Sequence, residues 1–403
     1  MTTLETPGPT IGVVGGGQLG RMLAEAAAPL GVELVVLDPT PDCPAAPVAR
    51  DQIVADFDDE AGIRELAARA DVLTFEIELA DQAALERVSE DSGTPVHPKP
   101  STLETIHDKL VQKRELADAG IPVPPFREVE DAADVRAAID DYGAPVMLKA
   151  RTGGYDGRGN VPVESKADAA EALESVAGPA MVESFVDFER EISVIAVKGD
   201  DEIAAFPVGE NVHEDEILRE TIIPAGSSDA VTERARDVAA DVLDVMEGRG
   251  VYGIELFETS EAPRASDDSS GRRPRESDEK ILLNEIAPRP HNSGHWTIEG
   301  AQSSQFEQHV RAVLGWPLAA TDLRSSTVSV NLLGDVDEST EAALDGIDRI
   351  LETPGANLHW YGKRQARPLR KMGHVTLTGR DGASTDDLLA TARELEDAVT
   401  FRS

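Results

Sequence analysis

Cysteine is almost absent: Cys43 stands alone in 403 residues, which excludes an internal disulfide and a thiolate metal cluster. The eight histidines show neither a His-Glu-x-x-His run nor Cys/His ligand spacing, so a zinc site is not expected. No apolar run approaches the roughly 20 residues that cross a bilayer. The opening residues, MTTLETPGPT, carry neither the basic nor the apolar region of a secretory signal. A soluble, cytoplasmic protein with no membrane partner is the expectation. Lysine is scarce as well, with nine residues against 29 arginines.

Acid takes the place of the missing positive charge. Asp and Glu total 76 against 38 Lys and Arg, a formal net charge of −38. Such a surface repels phosphodiester backbones and excludes nucleic acid as a partner class. Disorder could carry the same charge, but hydrophobic residues make up 40% and recur in periodic segments, as in a folded chain. The acid excess, with arginine favoured over lysine, reads as a halophilic adaptation. The length predicts two or three domains.

The first hundred residues alternate strand and helix patterns: strands over Thr10–Val14, Glu33–Leu37 and 72–78, helices over 18–30 and 61–70. That βαβ alternation predicts a parallel sheet. Three prolines within 94–100 mark a boundary. Beyond it, Ser101-Thr-Leu-Glu104 reads as a capping box opening a helix that stops near Gly120. Strands follow over 145–150, 181–186, 191–197, 251–257 and 281–286, with helices over 165–176 and 229–246. Residues 259–280 lack large apolar side chains and read as a solvated insertion. A smaller unit begins after about residue 325, with strands over 327–333, 357–361 and 374–378.

Gly15-Gly-Gly17-Gln18-Leu19-Gly20 follows a strand and opens a helix, and Asp38 closes the next strand. This spacing is the dinucleotide fingerprint, and a helix N-terminus with bare amides also serves other phosphates. Lys149 ends a strand before Gly153-Gly154-Tyr155-Asp156-Gly157-Arg158-Gly159, a loop rich enough in glycine to bring backbone amides against phosphate oxygens. Glu255 and Glu285 are acids inside apolar strands. By alternation Gly253, Glu255 and Phe257 share one face, as do Ile281, Leu283 and Glu285, with Asn284 nearby. Two such carboxylates suit magnesium held together with substrate phosphates. Residues 287–295 (APRPHNSGH) have the polar, rigid composition of an active-site loop. Residues 363–371 carry five positive charges in nine positions, an anion site in an otherwise acidic chain. Glu76 sits at the C-terminal end of a parallel strand, where open α/β sheets bind ligands. Glu78 reads as a surface acid, and His213 is open between a structural and a functional role.

Taken together, GVVGGGQLGRML, GGYDGRG, GIELF, NEIAPRPHNSGHWT, HWYGK and RKMGH resemble the N5-carboxyaminoimidazole ribonucleotide synthase family of purine biosynthesis, in order and over nearly the full length. The resemblance implies an ATP-grasp fold, α/β and α+β. Its parts would be a Rossmann-like N-terminal domain (1–100), an ATP-grasp domain (101–325, lid about 120–182) and a small C-terminal domain (326–403). It implies carboxylation of 5-aminoimidazole ribonucleotide with ATP and bicarbonate, magnesium or manganese as the metal, and a homodimer. It assigns ATP to Lys109, Lys149, the 153–159 loop, Glu183, Ser184, Phe185, Val186, Glu191, His213, Asn284 and Glu285, and the metal to Glu255 and Glu285. Gln18, Leu19, Glu76, Tyr155, Asp156, Arg158, Lys363, Arg370 and Lys371 fall where the ribonucleotide is held, with Arg367 as a further candidate for its phosphate. Lys149, Arg289, Asp156 and Arg158 are the catalytic candidates. Two positions depart from the family pattern: Leu79 stands where asparagine is expected, and Leu369 where glycine precedes Arg370-Lys371. Two other readings compete. One is a formate-dependent glycinamide ribonucleotide transformylase; the other is a nicotinamide oxidoreductase built on the glycine turn and Asp38.

Overall fold

The computed structural model describes residues 5–153, 159–176, 178–260, 281–380 and 383–402. Four parallel strands form the first sheet, in the order Asp51–Ile53, Glu33–Leu37, Thr10–Val14, Val72–Phe75. Helices Gln18–Ala27 and Glu60–Ala67 connect them, Gln82–Ser92 follows the last, and the three cover the sheet. The strand expected over 72–78 ends at Phe75. Glu76 follows at the carboxyl end of the sheet, its amide donating to the Val14 carbonyl (3.0 Å).

The capping box expected at Ser101 is not formed. Lys99 is the N-cap and Pro100 takes the first helical position; proline's fixed φ suits that position and needs no hydroxyl cap. Ser101 Oγ donates instead to Glu247 Oε2 (2.8 Å), and Glu104 accepts from Gln82 (3.3 Å). One long helix was expected here, and two are present, Pro100–His107 and Lys109–Asp118. The chain bends out at Asp108 (φ −103°, ψ 107°), whose carboxylate accepts from the amides of Leu110 and Val111.

A four-stranded antiparallel sheet follows, in the order Phe126–Val129, Ala180–Ser184, Val146–Ala150, Asn160–Val163. Its core is Val135, Ala138, Val146, Leu148, Val163 and Val182, closed by the helices Ala132–Tyr142 and Ala169–Ser175. The central sheet has nine strands and carries Ile281–Ala287, Gly250–Glu258 and Arg190–Lys198 at one end. Helix Asp229–Val245 lies on it through Val231, Ala235, Val238, Ala239 and Val242, a stripe at helical spacing. Each fully buried valine on that stripe contributes about 1.5–3 kcal/mol.

The three C-terminal strands expected over 327–333, 357–361 and 374–378 join the central sheet. Thr327–Leu333 pairs with Ile217–Ile223 (Glu220 opposite Val330), and Lys371–Thr378 and Ala356–Trp360 extend the central sheet beyond it. One sheet therefore runs from the Glu255–Glu285 strands to the basic segment before Lys371. Among the described residues, no helix is long and apolar enough to cross a membrane.

Candidate active site

Gly250–Glu258 and Ile281–Ala287 run antiparallel, with Glu255 directly opposite Glu285. The next aligned pair is Leu256 with Leu283, so Asn284 is bulged out of the ladder. This corrects the simple alternation: the bulge shifts phase, and Ile281, Leu283 and Ile286 share the core while Glu285 does not. Glu255 alternates with the core residues Ile254 and Leu256, so both carboxylates leave the opposite face. Gly253 shares that face, and a Cβ there would come within 2.3 Å of the His291 Cβ. His291 Nε2 stands 3.9 Å from Glu255 Oε1, and Lys109 Nζ stands 3.9 Å from Glu285 Oε1. Burial, with repulsion from Glu285 and Glu191, pushes Glu255 up to about 7. A divalent cation would relieve that repulsion, and an all-oxygen pair fits magnesium. Among the described residues no three His, Cys, Asp or Glu side chains converge, and magnesium held by two carboxylates fills its shell with water and substrate oxygens.

Lys109 is the first residue of helix Lys109–Asp118, and its neighbour Asp108 also holds Arg151 Nη2 (2.6 Å), just past strand Val146–Ala150. Lys149 Nζ pairs with Glu183 Oε2 at 2.8 Å. Where strands Val146–Ala150 and Asn160–Val163 pair, Lys149 is in register with Asn160, and Gly153 (φ +77°) and Gly159 (φ +86°) lie in the left-handed region. Gly154, Tyr155, Asp156, Gly157 and Arg158 lie outside the described residues. Ser184 ends the neighbouring strand, and Phe185 and Val186 leave it with the Phe185 ring exposed. Glu191 bonds His213 Nδ1. Burial opposes a charge on His213, but Glu191 and Glu255 raise its pKa above the usual value. His213 therefore lies close to Glu255 as well as to Glu191.

The basic segment meets the N-terminal sheet. Lys363 Nζ donates to Gln18 Oε1 (2.7 Å) and to the Lys371 carbonyl (2.6 Å). Lys371 lies near enough to lower the pKa values of both Glu255 and His213. Arg370 donates to the Gln365 carbonyl (2.8 Å) and is partly buried, whereas Arg367 is exposed. The Leu19 side chain is packed in the N-terminal core, leaving only its backbone for a ligand. Leu369 has φ +60° and is 44% exposed, so its departure from glycine is a strained one. Leu369→Gly is expected to gain about 0.5–1 kcal/mol, the left-handed strain less glycine's chain entropy. Thermal unfolding of the two proteins checks it.

Glu76 is buried against the glycine turn and accepts from the amides of Gly17 and Gly20. A Cβ on Gly15, at φ +105°, would strike the Glu76 Cγ at 2.4 Å. Burial raises the Glu76 pKa from 4.5 to about 7. Between those values the folded chain binds the proton more tightly than the unfolded one, so stability falls as pH rises through the window. The fall is on the order of 3 kcal/mol and levels off above pH 7, with Glu255 acting in the same direction. Denaturant unfolding from pH 5 to 8 should show it, and Glu76→Gln should flatten the slope.

Arg289 Nη2 pairs with Glu78 Oε1 at 2.8 Å, so Glu78 is no idle surface acid. Arg289 Nη1 donates to the Pro290 carbonyl, and its Nε is buried with no hydrogen-bond partner among the described residues.

Three family models match the chain in sequence order: the ribonucleotide synthetase preATP-grasp domain over 9–107, the ATP-grasp domain over 114–306, and the phosphoribosylaminoimidazole carboxylase C-terminal domain over 327–387. The N5-carboxyaminoimidazole ribonucleotide synthase of Brucella melitensis is 43% identical over 375 residues, 92% of this chain and 96% of its own. The chain belongs to the N5-carboxyaminoimidazole ribonucleotide synthase family. The synthetase of that name from Thermotoga maritima superposes with a TM-score of 0.84 at 38% identity, covering 98% of this chain and 99% of its own. The Aspergillus clavatus synthase in complex with ADP and 5-aminoimidazole ribonucleotide gives 0.85 at 34%, covering 97% and 98%.

Family membership sets aside both competing readings, and the geometry explains why the dinucleotide fingerprint misleads. In this synthase fold Asp38 is spent inside the chain, accepting from the amides of Gly16 (3.0 Å) and Thr40 (2.8 Å). Glu76 holds two more amides of the same turn. The sequence reading left out Lys113 and took Glu78 for a surface acid, and the fold brings both beside the candidate site. Lys113 carried a usable signal: it stands one helical turn beyond Lys109, on the same face.

Proposed function

We propose that this chain carboxylates 5-aminoimidazole ribonucleotide, using ATP and bicarbonate and releasing N5-carboxyaminoimidazole ribonucleotide, ADP and phosphate. The observation that carries it is the Glu255–Glu285 cross-strand pair, with Lys109 beside Glu285 and the Lys371 end of the basic segment close enough to act on Glu255. A triphosphate and a ribonucleotide can thereby be held against one another.

Bicarbonate is too weak an electrophile to accept an amine directly. One of its oxygens attacks the γ-phosphorus, the bond to the β-phosphate oxygen breaks, and ADP leaves. The carboxyphosphate formed is attacked at carbon by the ribonucleotide's amine, which loses a proton as phosphate departs. Glu255 and Glu285 would hold magnesium, or manganese in its place, which would neutralise charge on the transferring phosphoryl group. Lys109 and Lys149 would bind the triphosphate, and Arg289 would orient bicarbonate beside it. Gln18, Lys363, Arg370 and Lys371 would hold the ribonucleotide, with Glu76 fixing the glycine turn against which it lies. Catalysis then rests on positioning and electrostatics.

The test is ADP release with the ribonucleotide, with and without bicarbonate, from dilute buffer to molar KCl. Dependence on both substrates supports the reading; release indifferent to bicarbonate, or stimulated by glycinamide ribonucleotide plus formate, overturns it. The net charge of −38 leads us to expect an enzyme of a saline cytoplasm, unfolding in dilute buffer. A homodimer is proposed with it, to be read by light scattering.

A further inference from the structure

Two lysines share one buried carboxylate behind the proposed triphosphate site. Glu183, with 3% of its side chain exposed, has Lys149 Nζ 2.8 Å from Oε2 and Lys113 Nζ 3.4 Å from Oε1. The two ammonium groups are held differently. Lys113 is 2% exposed and also donates to the Leu283 carbonyl (3.0 Å) and the Asn284 carbonyl (3.1 Å), which fix it against the bulge beside Glu285. Lys149 is more open and sits at the end of its strand, where the 153–159 loop begins.

We propose that Lys113 is the standing counter-ion of Glu183, the positioning residue that leaves Lys149 free to exchange Glu183 for nucleotide phosphate. The inference rests on the reading of Lys149 as a triphosphate ligand. A buried carboxylate that loses its only cation is strongly destabilised. With one lysine, Glu183 would hold Lys149 back from any incoming anion. With two, Lys149 can leave while Glu183 keeps a partner, so nucleotide binding trades one anion for another. The pair also carries one positive charge in excess, which favours an anionic ligand. Charge states agree: burial opposes it, but Lys113 and Lys149 together draw Glu183 down to about 2. Burial brings Lys113 down only to about 8, so it stays mainly protonated at neutral pH.

Isothermal titration of the full chain with Mg·ADP, at fixed salt and with folding followed by circular dichroism, tests the idea. Four proteins are compared: wild type, K113M, E183Q and K113M/E183Q. K113M should bind at least tenfold more weakly than wild type. Without the carboxylate Lys113 has nothing to balance, so K113M/E183Q should bind within about threefold of E183Q. A lysine that merely braced the bulge would weaken binding equally in both backgrounds. Wild-type affinity in K113M, or a tenfold gap between the double variant and E183Q, overturns the proposal; if K113M does not fold, that second comparison decides alone. Should wild type itself not bind Mg·ADP, the nucleotide reading falls first and takes this one with it.

Discussion

Replacing Glu285 by glutamine is expected to lower ribonucleotide-dependent ADP release by at least about a hundredfold, the scale seen when one preorganised group that stabilises transition-state charge is removed. The carboxamide keeps the size and the bulge geometry, so stability should change little. Glu285 is about half exposed and packs no core. What changes is charge. Glu255 would stand alone opposite a neutral oxygen, with the Lys109 ammonium 3.9 Å from the altered group. Half-saturation should move to higher magnesium concentration, and raising magnesium should recover part of the rate. A merely structural role predicts no such recovery. Near-normal turnover at low magnesium would take Glu285 out of the metal site. Affinity for the ribonucleotide, read without nucleotide, should stay within about threefold, because its proposed pocket lies toward Gln18 and Lys363.

The fold was legible wherever local pattern and tertiary context agree. The parallel N-terminal sheet announces itself because TIGVV and ELVVL are continuous apolar strands broken by a glycine turn, and both are buried throughout their centres. The two acids were legible because carboxylates rarely sit in strands such as GIELF and LLNEI without a partner. Their exact facing was not, since a bulge at Asn284 is a property of two strands paired, invisible in either alone. The Ser101 capping box failed for a similar reason: Glu247, 146 residues distant, takes the hydroxyl that local pattern gave to the helix. Glu78 looked like a surface acid until folding brought Arg289, 211 residues away, against it. Lys113 offered only its place one turn beyond Lys109; that its ammonium is buried against Glu183 is decided by elements far apart in the chain. That the C-terminal strands extend the central sheet was not legible, because pairing between Ile217–Ile223 and Thr327–Leu333 leaves no mark in either segment.

Arg289→Ala should separate the two halves of the reaction. Mg·ADP affinity is expected to stay within about threefold of wild type, while carboxylation falls by at least about a hundredfold. The basis is geometric. Arg289 is held from one side by Glu78 (2.8 Å), and its Nε is buried with no hydrogen-bond partner among the described residues, a donor that must find an anion or water to offset its burial. Burial opposes the charge, but Glu78, Glu76 and Glu285 raise its pKa above the ordinary guanidinium value, so the cation persists at any working pH. A planar, permanently charged fork fits a carboxylate-like substrate such as bicarbonate better than a point charge does. Arg289→Lys should therefore recover little activity although the charge returns. Alanine also leaves Glu78 without its partner, and Glu78→Gln serves as the control. That variant should cost less than Arg289→Ala, since the guanidinium remains. Equal losses in the two variants would mean that the ion pair joins the N-terminal and ATP-grasp units, and that Arg289 acts through Glu78 with no substrate contact of its own. Normal carboxylation in Arg289→Ala would remove it from the chemistry altogether.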